Sequence, residues 1–374
     1  MRIEVRLGVV ALAVLAFAAC GKKEGDEAAA GAPEEKVLFV YNWSDYIGET
    51  TIADFEAKTG IKVTYDVFDS NEVLETKLLA GRTGYDIVVP SASFLERQIK
   101  AGVFLKLDKT KLPNLQNMDA EIMQRVALHD PGNDHAINWL WGTTGIGYNP
   151  DKVKAALGTD TIDSWATIFE PENAKKLAKC GLVMLDAPSE VLDSAMIYMG
   201  RDPNSETAED LAAAEAKLLG VREHVKYFHS SQYINDLATG EICVALGWSG
   251  DILQARSRGA EAENPVNVAY AVPKEGAIIW FDMLAIPADA PHPNNAHAFM
   301  NFVMEPAVIA GVSDYVEYAN GNSASFSLIN ETVRNNPSVY PPEEVKKKLH
   351  AHLAESQEFS RDLNRAWTRV RTGQ

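Results

Sequence analysis

The sequence predicts an α/β protein with two domains, each built on a mixed, mostly parallel sheet that is flanked by helices. Its 374 residues are enough for two domains. Short apolar segments that read as strands alternate with amphipathic segments that read as helices, a spacing typical of parallel sheets. Strands are predicted at 37–40, 61–67 and 85–90, and helices at 50–58, 72–80 and 94–100.

Composition narrows the class of protein. Hydrophobic residues make up 46% of the chain and charged residues 23%, as in ordinary soluble globular proteins. The formal net charge of −17 argues against nucleic acid as a partner. An acidic surface raises the local concentration of cations, which suits a cationic ligand. It is equally compatible with acidity that serves only solubility.

The N-terminus reads as a secretion signal. Arg2 and Arg6 precede an apolar stretch at 7–19 that is too short to cross a bilayer as a helix. Small residues then lead to Cys20, as in a bacterial lipobox, in which the cysteine carries the lipid. We therefore expect a lipoprotein signal peptide at 1–19 and lipidation of Cys20. Ordinary cleavage near residues 16–18, which would leave a free Cys20, is the alternative.

The next segment, residues 20–36, is rich in Gly, Ala, Glu and Lys and holds no aromatic residue, so we expect a flexible tether. Two further cysteines, Cys180 and Cys243, stand at the edges of apparent strands. Because an exported protein meets an oxidising compartment, we predict a disulfide between them.

Three predicted strands each carry an aromatic residue close to an acid. Residues 41–46 (YNWSDY) follow the first strand, residues 247–251 (GWSGD) follow a strand at 242–246, and residues 280–282 (WFD) lie inside a strand at 278–284. Ligands of open α/β sheets bind at the carboxyl ends of strands. Carboxylates beside aromatic rings suit an organic ammonium, although Trp43 and Tyr46 could equally be core residues.

Two other segments have simpler interpretations. The glycine-rich stretch 139–149 does not match a phosphate-binding motif and is interpreted as a crossing between domains, with hinge glycines. His350 and His352 are placed on a surface helix, and the eight histidines are scattered, so no metal site is expected. Ser91 and Ser93 follow the strand at 85–90, where helix N-capping is their alternative role.

Longer motifs resemble the bacterial periplasmic polyamine-binding proteins, the solute-binding components of ABC importers, with particular similarity to the putrescine-binding branch. The resemblance covers essentially all of the chain from residue 37. The segments that carry it are 41–46, 67–72, 89–97, 143–149, 228–236 and 273–276.

The resemblance implies a type II periplasmic-binding-protein clamshell. Its first lobe is expected at 37–141 and 257–311, and its second at 142–256 and 312–374. The family's disulfide falls on Cys180 and Cys243, in agreement with the compartment argument. Expected partners are putrescine or spermidine and an ABC permease of the inner membrane. The protein is expected to be a monomer, tethered in the periplasm through Cys20.

The resemblance also implies a set of ligand-binding residues and no catalytic residue, cofactor or metal. Trp280 stands where putrescine-preferring relatives typically carry Phe, and its larger ring resembles spermidine-binding members. The expected ligand residues are Trp43, Ser44, Asp45, Tyr46, Ser91, Ser93, Glu190, Ser230, Trp248, Asp251, Trp280, Asp282 and Tyr318.

Other functional classes are less well matched by the sequence. The sequence shows no recognisable Ser/His/Asp triad, and nothing identifies a glycosidase-like pair among its acids. An enzyme is therefore not expected. A binding protein for another organic cation or an amino acid, or a polyamine sensor that feeds no transporter, remains the alternative.

Overall fold

The computed structural model describes residues 34–374. The predicted signal peptide, Cys20 and most of the predicted tether lie outside this range; residues 34–36 lead into the first strand without forming a helix or strand. Residues 35–374 form one compact unit. Within it, no helix combines the length and apolar character needed to cross a bilayer.

The described residues form eleven strands. In chain order they are β1 Val37–Trp43, β2 Lys62–Phe68, β3 Ile87–Val88, β4 Ala136–Tyr148, β5 Leu182–Met184, β6 Val225–Phe228, β7 Val244–Trp248, β8 Ala269–Ala271, β9 Ala277–Ala285, β10 Ala319–Asn320 and β11 Leu349–Ala351.

Sixteen α-helices and four short 3-10 helices complete the described part. The 3-10 helices are Lys109–Lys111, Pro113–Asn117, Arg222–His224 and Ser323–Leu328. The α-helices are α1 Thr51–Thr59, α2 Asn71–Ala80, α3 Ala92–Lys100, α4 Ala120–Val126, α5 Pro150–Leu157, α6 Ala166–Phe169, α7 Pro171–Leu177, α8 Pro188–Tyr198, α9 Ala208–Leu219, α10 Gln232–Ala238, α11 Ser249–Glu261, α12 Pro293–Val303, α13 Pro306–Val316, α14 Glu331–Arg334, α15 Glu343–Lys346 and α16 Gln357–Thr372.

The first strand and helix show how local sequence sets these elements. Leu38 and Val40 of β1 are buried, as expected of an apolar strand inside a sheet. Helix α1 turns Phe55 into the core, where its ring centroid lies 5.0 Å from that of Phe299. The helix ends at Gly60, whose φ of 73° is left-handed and strains any residue with a Cβ.

One mixed sheet runs through the described residues, in the order β2-β1-β3-β9-β4-β7-β5-β6. The outer pairs at both ends are parallel: β1 pairs with β2 and β3, and β5 pairs with β6 and β7. The central pairs of β4 with β9 and with β7 are antiparallel. Both halves therefore contain the parallel pairing that the sequence predicts.

Strand β4 belongs to both halves of the sheet. Its residues 136–143 pair with β9, and its residues 144–148 pair with β7. This arrangement turns the carboxyl ends of β1 and β3 toward those of β5 and β7. Ligand residues predicted at strand ends far apart in sequence consequently share one cleft.

The glycines of β4 have a packing role. A Cβ on Gly142 would lie 2.8 Å from the indole of Trp280, and one on Gly147 would lie 2.6 Å from Ile252. Neither glycine has the positive φ that only glycine adopts readily. These positions therefore need glycine for close approach of neighbouring side chains.

The predicted disulfide is present. Cys180 and Cys243 are bonded, with their Cα atoms 5.4 Å apart. The bond joins the turn after α7 to the residue that precedes β7, and it closes a loop of sequence separation 63. A cross-link of this kind limits the freedom of the unfolded chain.

We expect the double variant Cys180→Ala/Cys243→Ala to lower the free energy of unfolding by about 2–4 kcal/mol, because it loses this constraint on the unfolded chain. Urea denaturation of residues 36–374 measures the change. As a control, thiol titration of the unfolded, unreduced parent should detect no free thiol. Two reactive thiols would contradict the bond.

Candidate functional site

A cavity lies where the carboxyl ends of the two sets of parallel strands meet, and it encloses about 800 Å³ of atom-free space, counting its mouth. All of the sequence-predicted ligand residues line it except Asp45. The lining residues are Trp43, Ser44, Tyr46, Phe68, Asp69, Ser70, Asn71, Glu72, Ser91, Ser93, Phe94, Ala187, Ser189, Glu190, Ser230, Ser231, Trp248, Asp251, Trp280, Asp282, Tyr318 and His352.

Asp282 projects from the centre of β9 and is 4% exposed. Ser91 Oγ donates a hydrogen bond to Asp282 Oδ1 over 2.6 Å. Ser91 occupies the N-cap position of α3 without capping the helix through its side chain, so its hydroxyl is committed to this carboxylate. Burial raises the pKa of Asp282 to about 7; the hydrogen bond opposes the rise, and the charges of Glu190 and Asp251 add to it.

Asp251 lies in the first turn of α11 and is also buried. Two phenols, of Tyr233 and Tyr318, each donate a hydrogen bond to its carboxylate over 2.7 Å. Burial raises the pKa of Asp251 to about 7 despite these two donors. The first turn of a helix also favours a carboxylate electrostatically.

Glu190 is the third acid of the cavity and lies in the first turn of α8. Thr144 Oγ1, on β4, donates a hydrogen bond to it. Burial raises the pKa of Glu190 to about 7, with Thr144 and His352 acting against the rise. The three acids thus enter the cavity from α8, α11 and β9.

Within the described residues, none of these three acids forms an ion pair with a cationic side chain. In the range 34–374, no Lys, Arg or His nitrogen lies within 4.0 Å of a carboxylate oxygen of Glu190, Asp251 or Asp282. A buried carboxylate without a cation is unfavourable, since the folded protein replaces its lost hydration only in part. The arrangement can bind a ligand with more than one positive charge.

Aromatic rings form the walls between the acids. The Trp43 and Trp248 ring centroids are 5.5 Å apart, edge to face. Tyr318 packs edge to face against Tyr46 at 5.1 Å and against Trp280 at 5.4 Å. Such faces contact both methylene groups and ammonium groups favourably.

One buried polar atom of the aromatic walls, Trp280 Nε1, has no hydrogen-bond partner within the described residues. Buried polar groups normally find partners in the protein or in bound molecules, so this atom marks room for polar contact with an occupant. Trp280 and Asp282 lie on the same face of β9, as their spacing predicts.

The predicted serines have different surroundings. Ser44 Oγ donates to Asp69 over 2.9 Å at the exposed side of the cavity. Ser230 Oγ accepts from the backbone N–H of Asp186 over 3.1 Å. Ser93 is buried in the first turn of α3.

The structure does not place Asp45 with the other predicted residues. Asp45 has a left-handed φ of 53°, which turns its side chain away from the cavity. Its carboxylate pairs with Arg258 on α11 at 2.6 Å, and Gln254 Nε2 donates to its carbonyl oxygen over 3.3 Å. Asp45 thus joins the segment after β1 to α11 across the rim of the cleft.

His352 shows where sequence reasoning failed. Its placement on a surface helix is wrong, because residues 349–351 form β11, which pairs with β9, and His352 lines the cavity. Two lining acids, Asp69 and Glu72, were also not predicted as ligand residues. Both lie in the motif at residues 67–72, which could have indicated them. No local pattern indicates β11, because it pairs with β9 across a long sequence separation.

Comparisons with known proteins agree with this fold. Residues 50–340 match the family described as bacterial extracellular solute-binding protein. The chain is 54% identical over 345 residues to the putrescine-binding periplasmic protein of Pseudomonas aeruginosa strain UCBPP-PA14, covering 92% of this chain and 94% of the relative.

Solved structures share the α/β architecture of periplasmic binding proteins. A putative spermidine/putrescine ABC transporter from Listeria monocytogenes superposes with a TM-score of 0.81 at 29% identity, covering 91% of this chain and 100% of that one. A lipoprotein of Treponema pallidum superposes with a TM-score of 0.75 at 25% identity, covering 90% and 99%. On the family match and the shared fold, this chain belongs to the bacterial extracellular solute-binding proteins.

Proposed function

We propose that this protein binds a linear polyamine, putrescine or spermidine, in the described cavity and delivers it to the permease of an ABC importer. The observation that carries the proposal is a set of three carboxylates in the cavity, those of Glu190, Asp251 and Asp282, that form no ion pair with a cationic side chain of residues 34–374. Asp251 and Asp282 are buried, and Glu190 is partly buried. The relative from P. aeruginosa is named for putrescine, which supports the same ligand class.

A linear polyamine suits both parts of the cavity. Its ammonium groups would replace the missing cations of the acids, and its methylene chain would lie between the aromatic walls. Each ring beneath an ammonium adds about 0.5–2 kcal/mol. The residues proposed as ligand contacts are Trp43, Ser44, Tyr46, Ser91, Ser93, Glu190, Ser230, Trp248, Asp251, Trp280, Asp282 and Tyr318; Asp45 is proposed to act at the rim.

Binding would draw two lobes together, residues 37–141 with 257–311 and residues 142–256 with 312–374. A ligand that contacts Asp282 and Asp251 at once favours the closed state by its higher affinity for it. The Asp45–Arg258 pair would add a small contribution at the rim of the cleft. The protein would act as a monomer and catalyse no reaction.

The first test is titration calorimetry of residues 36–374, unfolded and refolded to remove bound ligand. Putrescine or spermidine should bind. Asp282→Asn should weaken that binding by roughly a hundredfold or more, since losing one charge of a buried pair costs about 2–5 kcal/mol. Absence of polyamine binding by the parent would refute the proposal.

The matched control is Asp45→Asn, which removes a carboxylate of the same size from the rim. Its pair with Arg258 is partly exposed, so the affinity should fall by roughly fivefold or less. Equal losses in the two variants would contradict the assignment of Asp282 to the ligand. Both variants should keep the parent's circular dichroism spectrum.

Polyamine affinity should depend on pH. Asp251, Asp282 and Glu190 each have a pKa raised to about 7 by burial. They must be ionised to bind ammonium groups, so affinity should be at least about tenfold weaker at pH 5.5 than at pH 8. Calorimetry at the two pH values, in buffers of equal ionic strength, measures the difference.

The unliganded protein should show the opposite trend in stability. These folded-state pKa values lie above those of the unfolded chain, so the acids contribute most to stability at low pH and lose that contribution as pH rises toward 7. Putrescine should therefore raise Tm more at pH 8 than at pH 5.5. An equal shift at both pH values would contradict the ionisation argument.

We also propose that the protein is tethered in the periplasm by a lipid on Cys20. The apolar stretch that ends in small residues before Cys20 supports this, as does the similar fold of a lipoprotein from T. pallidum. The full chain should fractionate with membranes, and Cys20→Ala should not. Recovery of the unaltered chain in the soluble fraction would contradict lipidation.

A further inference from the structure

His352 is a wall residue of the cavity that has its own carboxylate partners. Its Nδ1 lies 2.8 Å from Asp193 Oδ2 on α8. Its Nε2 is buried and makes no hydrogen bond within residues 34–374; Glu355 Oε1 is 3.7 Å away. The ring therefore lies between two carboxylates at the edge of the ligand space.

These carboxylates belong to a row of alternating charges. Arg97 Nη1 lies 3.8 Å from Glu355 Oε2, and Arg97 also pairs with Glu75. Ser189 Oγ donates to Glu355 over 2.8 Å. From α2 to α8 the charged side chains follow one another as Glu75, Arg97, Glu355, His352 and Asp193.

Nearby groups decide the protonation of His352. Burial lowers the pKa of His352, but the carboxylates of Asp193, Glu355 and Glu190 outweigh it and raise the pKa to about 9. His129, which interacts electrostatically with His352, has its own pKa lowered by burial. His352 therefore carries a positive charge at neutral pH.

Glu190 connects this charge to the ligand acids. Its carboxylate interacts electrostatically with His352 on one side and with Asp282 on the other. A diamine that pairs with Asp282 and Asp251 leaves His352 with its own two carboxylates, Asp193 and Glu355. A third ammonium that extended past Glu190 would meet the imidazolium of His352, which already neutralises its neighbouring carboxylates.

We propose that His352 is a specificity-determining residue, a built-in cation that makes the cavity favour a diamine over a triamine. The inference rests on the proposed polyamine function. It opposes the expectation from Trp280, whose larger ring resembles spermidine-binding proteins. The imidazolium neutralises the carboxylates with which a third ligand ammonium would pair. Its own positive charge also repels that ammonium.

The test compares dissociation constants for putrescine and spermidine in the full-length protein and in His352→Gln. The side chain of Gln is neutral and can still bond to Asp193. We expect the ratio of the spermidine Kd to the putrescine Kd to fall by at least about tenfold in the variant. An unchanged ratio would overturn the inference. That result is expected if the third ammonium lies toward Asp69, at the mouth of the cavity, and so away from His352.

The matched control is His135→Gln. His135 Nδ1 lies 2.8 Å from Asp130 Oδ1, the same imidazole–carboxylate distance, but neither residue lines the cavity. This variant should leave the Kd ratio unchanged. A similar shift in His135→Gln would show a general effect of removing histidine and would overturn the assignment.

A second measurement does not depend on whether the variant folds. Nitrogen-15 NMR of the imidazole rings should show His352 protonated at pH 7 in the unaltered protein with putrescine bound. A neutral ring would overturn the inference while leaving polyamine binding intact. If the unaltered protein bound neither polyamine, the proposed function would fail and this inference would fail with it.

Discussion

The desolvation of three carboxylates is the constraint on which the site depends. Within residues 34–374, hydroxyl donors and not lysine or arginine hold Asp282, Asp251 and Glu190. Hydroxyl groups orient a carboxylate without cancelling its charge, and burial keeps the pKa near 7. The fold thus leaves three desolvated negative charges that a cationic ligand can neutralise.

Supersecondary structure explains why these acids meet. Parallel pairing places the carboxyl ends of β1 and β3 at one edge and those of β5 and β7 at another. The antiparallel strands β4 and β9 then turn the two edges toward each other. The site is consequently shared between segments that are more than two hundred residues apart, such as Trp43 and Asp282.

Sequence patterns predicted the elements and cavity residues that depend on local order. Trp280 and Asp282 share a face because a strand has a period of two, and Ser91 and Tyr46 lie where strands end. Asp45 lies outside the cavity lining because its direction depends on a left-handed φ, which no neighbouring residue indicates. His352 was misplaced because β11 exists only through its pairing with β9, a long-range contact that periodicity does not encode.

Gly142 and Trp280 are so close that the size of one residue limits the size of the other. The six-membered ring of the indole occupies the space where a Cβ on residue 142 would stand. The depth of the cavity at Trp280 is therefore set jointly by β4 and β9. Redesign of this site for a ligand of another size must repack residues 142 and 280 jointly, because enlarging either one alone displaces the other.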